Sequence, residues 1–481
     1  MYKAYITVLT NVRKHPNADR LLLADVFGNT VCVSTEYSEG QLGVYFPTDG
    51  QLSTEFAEKN NLLRKKDDAG NNIGGYMDPD KRNVTAIRLR GEKSDGLFLP
   101  ISALNYCYAH GDASIELHMG DVIDGVVNGH EICCKYIPRT QNRRGNVTEG
   151  NKTRKKKVPT APLFAEHADT EQLAYNLGAF KAGDEIEITL KMHGTSQRTG
   201  YLPVFKGYKS NIWGKLLKVI KPTCDFDKKV IAWIEKRATP MYDWGYVSGT
   251  RRVVLDSYEG GFYGDNTFRE IHSKVFAGKL MKGETVYYEV VGFTTSGAPI
   301  MGVASYKKLN DKEFIKQYGE TTRFSYGCFP AVTTCLDENN NIVSVNHGSD
   351  IYVYRMTMTN EDGFVVEYTP DFMRYRCEQM GVKTVPVFIK EIIPHEIQNE
   401  NGKWLGVDAG EWVKEMAEQY YDGPDPIGKT HIREGVVVRI INRPKFCAYK
   451  HKNFSFKVLE GIIKDTAAAP DMEEAQEVTN E

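Results

Sequence analysis

The stretch EIEITLKMHGTS (Glu185–Ser196) alternates apolar and polar side chains and then breaks at a glycine. On an extended chain this places Ile186, Ile188 and Leu190 on one face and Glu187, Thr189 and Lys191 on the other. Lys191 therefore leaves the end of a β-strand on its polar side, just before a turn at Gly194. A lone Lys-x-x-Gly at a strand end usually describes an exposed lysine. Its meaning here depends on what surrounds it.

Downstream, TVYYEVVG (285–292), IYVYRMTM (351–358), GVVVRII (435–441) and AYKHKNFSFKVLEG (448–461) are further β-rich runs. Helical signals mix with them: Asp169 to Leu177, with Asp169 as cap and Glu171 in the first turn, and WVKEMAEQYY (412–421). Upstream, residues 1–138 are mostly short strands broken by turn pairs such as Pro16-Asn17 and Gly28-Asn29, which suits a small OB-like β-barrel. Residues 139–160 read as a basic linker, 161–464 as the main α+β domain and 465–481 as an acidic disordered tail.

The charge is divided along the chain although the net value is only −2. Arg139 to Lys157 carries eight basic residues against Glu149 alone, and Asp465 to Glu481 carries six acidic residues and no basic one. The basic run reads as a soluble hinge, with a nuclear-localisation patch or an arm for polyanion phosphates as the other readings. Residues 205–245 add nine basic against four acidic residues, with Trp213, Trp233 and Trp244, as a helical insertion that either tracks nucleic acid or is simply solvated.

Six short motifs in order resemble the covalent nucleotidyltransferase superfamily of ligases and mRNA-capping enzymes, in its RNA ligase 2-like form with an N-terminal OB module. Lys191-Met-His193-Gly194 resembles the nucleotidyl-lysine motif. Ser248-Gly-Thr-Arg251-Arg252 stands where the second motif falls, Glu289 with Gly292 is similar to the third, and Tyr352, Tyr354 and Met356 share the face of a strand at the adenine-stacking position. Arg433-Glu434-Gly435 and Lys450-His451-Lys452-Asn453 resemble the last two. Ser196 departs from relatives that carry Asn there.

The resemblance implies an α+β fold, with the OB-like barrel followed by a ligase-type adenylyltransferase domain of antiparallel sheets. It implies an ATP-dependent RNA ligase that seals 3′-hydroxyl/5′-phosphate breaks, with Lys191, Lys450 and Lys452 catalytic. His193, Gly194, Arg251, Glu289, Tyr354 and Glu434 would bind nucleotide, and Glu289 and Glu434 would hold Mg²⁺ or Mn²⁺. The implied partner is RNA, as nicked duplex or ends, with RNA/DNA hybrids a second class.

The chemistry accounts for these residue types. An ordinary lysine titrates near pH 10.4, so about one in a thousand is a neutral nucleophile at pH 7.4. Cations gathered nearby would favour the neutral amine, and alternation puts Lys450 and Lys452 on one face where both can meet the α-phosphate. Carboxylates suit a hard divalent cation. Phosphoryl transfer needs positioning and electrostatics more than acid–base groups, which fits a chain without a Ser-His-Asp or metal-histidine signature.

Other function classes fit less well. A DNA ligase or capping-type guanylyltransferase shares the lysine chemistry but normally carries an OB domain after the fifth motif, and only about twenty residues follow Glu460. A non-catalytic RNA-binding protein would not need the lysines and glutamates together. Nine cysteines without a C-x-x-C pair argue against a disulfide framework or zinc ribbon. Asp337 to Asn341 mimics the start of an EF-hand loop but has Ile342 at its sixth position, and reads as a hairpin turn. No apolar run approaches a membrane span and no secretory leader is seen, so a cytoplasmic monomer is expected.

Overall fold

The computed structural model describes residues 2–465 apart from 67–71, 109–116, 138–158, 220–229, 232, 236, 256, 259–262, 264–265, 304, 310–311, 331–332, 337–341, 347, 399 and 401. Most of the basic linker, part of the 205–245 insertion, the EF-hand-like turn and nearly all of the acidic tail therefore lie outside the described residues. The strands flanking that turn, Thr333–Leu336 and Ile342–Asn346, pair antiparallel as a hairpin requires.

Two five-stranded sheets build the C-terminal half. The first runs Glu171–Gln172, Cys447–Lys452, Gly435–Ile440, Glu185–Leu190 and Val387–Ile392, antiparallel except at the Glu171–Gln172 edge. The second is wholly antiparallel: Pro240–Gly249, Thr195–Tyr208, Glu284–Gly292, Ser349–Thr359 and Val365–Glu367. The chain passes from one sheet to the other at Lys191–Gly194, so the sequence's strand-ending turn is the junction between them.

Each sheet has its own apolar cover. Ile186, Ile188, Val436, Val438 and Ile440 pack with Val413 and Ala417 of the helix Ala409–Glu418. Asp408 caps that helix, accepting from the backbone N–H of Gly410 and Glu411 at 2.9 and 3.1 Å. On the second sheet Val286, Tyr288, Val290 and Val353 meet Phe268 of one helix and Met373, Cys377 and Met380 of Pro370–Met380. This last helix has a Thr369 cap, proline at its first position and left-handed Gly381 beyond its end.

The N-terminal half is β-rich as expected, but among the described residues its strands fall into separate small sheets and no closed barrel forms. The largest orders Leu97–Pro100, Leu42–Phe46, Ala4–Val8 and Val122–Ile123. After Ala4–Val8 the chain turns into a second ladder, where the register slips between Thr10 and Arg13 and Asn11 has φ +51°. This half is tied to the other. Lys457 reaches the buried Asp95 at 2.6 Å, Arg88 and Lys93 lie over the Phe454 ring, and Tyr175 packs against Tyr5 and Phe27.

Three sequence expectations are corrected. The expected helix from Asp169 is a short edge strand followed by 3-10 turns, because the Asp169 carboxylate is engaged by two arginines instead of by helix N–H groups. The last strand stops at Lys452, where Asn453 accepts from Phe456 N–H at 3.1 Å and opens the helix Phe454–Asp465. Met356 does not share a face with Tyr352 and Tyr354: the ladder slips opposite Tyr287 and Tyr288, and Met356 turns into the outer core beside Val353.

Candidate active site

The two sheets bring the lysines and acids of four separate segments to one place. Gly435 lets Gly435–Ile440 lie close on Cys447–Lys452: its φ is +147°, and a Cβ there would stand 2.1 Å from the His451 carbonyl oxygen. That approach sets Glu434 beside the last strand. The Lys191 backbone N–H donates to the Gly435 carbonyl at 3.0 Å, fixing the nucleophile candidate against the same residue.

Glu434 is the hub, 3% exposed. One carboxylate oxygen lies 2.6 Å from Lys191 Nζ and 3.4 Å from Lys452 Nζ, and the other faces His193 Nδ1 at 3.4 Å. Burial alone would raise this carboxyl, but the Lys191 and Lys452 ammoniums and His193 hold it well below the usual carboxylate range. Lys452 also pairs with Glu460 at 2.7 Å, from the helix that replaced the expected end of the strand.

Lys450 points into the same space. Burial, then the charges of Lys452, Lys191, Lys135 and Arg251, brings its ammonium down to about 8. Four segments, one of them in the N-terminal half, therefore converge as a cationic cluster, the kind of surface that receives a polyphosphate.

The turn itself is held from three sides. The backbone N–H of His193 donates to the Tyr326 hydroxyl at 2.7 Å, and its ring lies between Phe324 and Phe456 at 4.6 and 4.7 Å. Gly194 abuts the third-motif strand so closely that a Cβ would stand 2.4 Å from the Val290 carbonyl oxygen and 2.8 Å from Glu289 Cγ. Glu289 sits in register between Ser196 and Tyr352, whose strands flank its own. The Tyr354 hydroxyl meets Ser196 Oγ at 2.9 Å, and its ring stands edge-on to His167.

Arg251 and Arg252 sit together on Asp169, with nitrogen–oxygen distances of 3.4 and 2.8 Å. Burial favours the acid form of Asp169, but Arg251, Arg252 and Lys450 outweigh it and hold the carboxyl below its ordinary range. Tyr352 is buried and belongs to the apolar packing under the turn, whereas Tyr354 is only half-buried.

All nine sequence-predicted residues thus lie on the strands and turns that bound this junction. Sequence reasoning missed Tyr326, Phe324, Phe456, Glu460 and Lys135, and gave Asp169 the wrong partner. The first five had no local signal, since each acts across more than a hundred residues or through an unforeseen helix, and the arginines on Asp169 come from 82 and 83 residues away. Among the described residues no group of three or more His, Cys, Asp or Glu forms a ready metal cage. Glu289 and Glu434 are two carboxylates beside a cationic cluster, which fits a divalent cation completed by phosphate oxygens.

No protein-family model matches the sequence, and no curated protein does. Solved structures do match in fold. Naegleria gruberi RNA ligase, as a mutant with ATP and Mn, aligns over 94% of this chain and 98% of its own at 15% identity and a TM-score of 0.50. A variant with AMP and Mn aligns over 96% and 99% at 16% identity and the same TM-score. The chain therefore shares the fold of Naegleria gruberi RNA ligase along nearly its whole length.

Proposed function

We propose that this chain is an ATP-dependent RNA ligase that joins 3′-hydroxyl and 5′-phosphate ends through lysyl-AMP on Lys191. The observation that carries the reading is the convergence of Lys191 and Lys452 on the buried Glu434 at the junction of two sheets, with Lys450 in electrostatic reach of both lysines. That both Naegleria gruberi RNA ligase structures hold an adenine nucleotide with Mn supports ATP and a divalent cation as the cofactors.

In this reading the Lys191 amine forms a bond to the α-phosphorus of ATP and pyrophosphate leaves. The AMP then passes to a 5′-phosphate oxygen, returning the lysine, and a 3′-hydroxyl attacks that phosphorus with loss of AMP. Lys450 and Lys452 neutralise the charge on the phosphate oxygens in the transition state. Arg251 binds phosphate, His193 and Gly194 hold the nucleotide-binding turn, and Tyr354 stacks on adenine. Glu289 and Glu434 would hold Mg²⁺ or Mn²⁺, which when bound neutralises phosphate charge. Lys191 must part from Glu434 before it can act, because an ion-paired ammonium has no lone pair to donate.

RNA is the proposed substrate, distinguished from DNA through the 2′-hydroxyl and A-form shape. The strand that supplies the 3′-hydroxyl sits deepest, so its terminal sugar is the one read. Four nicked duplexes that differ only in the sugars flanking the break test this. Sealing should require ribose on the 3′-hydroxyl side and tolerate either sugar on the phosphate side. Equal sealing of the all-DNA nick would instead make the chain a DNA ligase.

A further inference from the structure

The strands Thr195–Tyr208 and Pro240–Gly249 run outward as a ladder that begins and ends in the candidate site, inside the five-stranded sheet as far as Gly200 and as a two-stranded arm beyond it. It leaves at Ser196, beside Tyr354, and returns at Gly249, two residues before Arg251. Twelve residues of extended chain from Ser196 to Tyr208 reach about 40 Å. The helix Ile212–Val219 follows at the far end.

That end is basic and aromatic. Lys206, Lys209 and Lys215 are exposed. The Arg237 guanidinium lies 3.9 Å over the ring of Trp233, which is 50% exposed and meets Trp213 edge-on at 5.5 Å. Stacking on an indole fixes the plane of a guanidinium while leaving its N–H groups for phosphate oxygens. Pro159 and Thr160 lie along the same arm: Tyr242 donates to the Pro159 carbonyl at 3.3 Å and Phe205 N–H to the Thr160 carbonyl at 2.8 Å.

We propose that this arm is a second RNA-binding surface, gripping the duplex that flanks the break on its sugar-phosphate backbone. Its lysines and Arg237 meet phosphates, and Trp233 presents a ring face to a sugar or an unpaired base. Positive charge, aromatic faces and strand continuity with the site favour RNA over a protein partner. The inference rests on the RNA ligase reading and adds where the substrate is held: on the order of a dozen base pairs from the break.

The test uses the full chain, its Lys206→Glu/Lys209→Glu/Lys215→Glu variant and separately Trp233→Ala, all checked for unchanged thermal unfolding. Nicked RNA duplexes with flanks of about 20 and about 6 base pairs are titrated over a range of salt, and adduct formation from labelled ATP is followed in the same samples. The triple variant should bind the long-flank duplex at least about 10-fold more weakly at 0.1 M salt, with a salt slope shallower by roughly 2 to 3. Trp233→Ala should lose several-fold affinity with the slope kept. Both should match wild type on the short-flank duplex and in adduct formation. Wild-type affinity of the triple variant for the long flank, or an equal loss on both lengths, would overturn the arm. Absence of any adduct from wild type would instead overturn the ligase reading, leaving the affinity comparison to judge the arm.

Discussion

The Lys191 ammonium and the Glu434 carboxylate are 2.6 Å apart, and Glu434 is almost wholly buried. A buried carboxylate with two lysines on it is stable only while they stay, since removing one partner of a buried pair costs about 3–5 kcal/mol. In the proposed reaction the same carboxylate turns to a divalent cation and releases the lysine. Glu434 is thus a latch on the nucleophile.

Glu434→Gln should uncouple stability from pH. The folded carboxyl lies below its ordinary value, so its contribution is fully present above the unfolded value of about 4.3 and is lost as pH falls through the folded one. Chemical unfolding at pH 7 should show the variant destabilised by about 2–4 kcal/mol, with the gap to wild type closing below about pH 4. A gap constant down to pH 3 would show that Glu434 is not charged in the fold.

Lys450 and Lys452 should separate in stability although both are proposed to serve adenylylation. Lys452 is held by Glu434 and Glu460, so Lys452→Met should lower the melting temperature. Lys450 is a buried cation among cations, brought to about 8, below its unfolded value of about 10.4. Its penalty is fully present below pH 8 and fades as pH rises toward the unfolded value. Lys450→Met should therefore stabilise the protein at pH 7, by on the order of 2 kcal/mol, and flatten the rise between pH 8 and 10. Adduct formation should fall by orders of magnitude in both variants, and wild-type rates would show that these side chains point elsewhere.

Tyr326→Phe should act on the turn and not on the nucleotide. Its hydroxyl accepts from the His193 backbone N–H, which holds the loop after Lys191. Adduct formation should slow by about 10-fold with the apparent KM for ATP unchanged, because a looser turn misplaces the attacking amine without altering binding. A rise in KM at unchanged maximal rate would place Tyr326 in nucleotide binding instead.

The strand before Lys191 was legible because alternation survives in a half-buried sheet, and the six short motifs were legible because each sits on one strand or turn. Even there the polar face proved buried: Glu187 is 3% exposed and pairs with Arg374 at 2.8 Å, a partner nearly two hundred residues away. Met356 was misplaced because a one-residue slip reverses every face beyond it. Phe454 to Gly461 read as strand because its apolar residues alternate, and the cap at Asn453 decided for helix. Asp169 looked like a cap because capping is a local rule, whereas two arginines brought by the fold outcompete it.

The central claim is that Lys191 carries the nucleotide. Purified full-length protein, incubated with α-labelled ATP and Mg²⁺, should acquire an acid-stable label that maps to Lys191. Lys191→Ala should acquire none, and neither should Lys191→Arg, whose guanidinium stays protonated. Undiminished labelling of either variant would contradict the account.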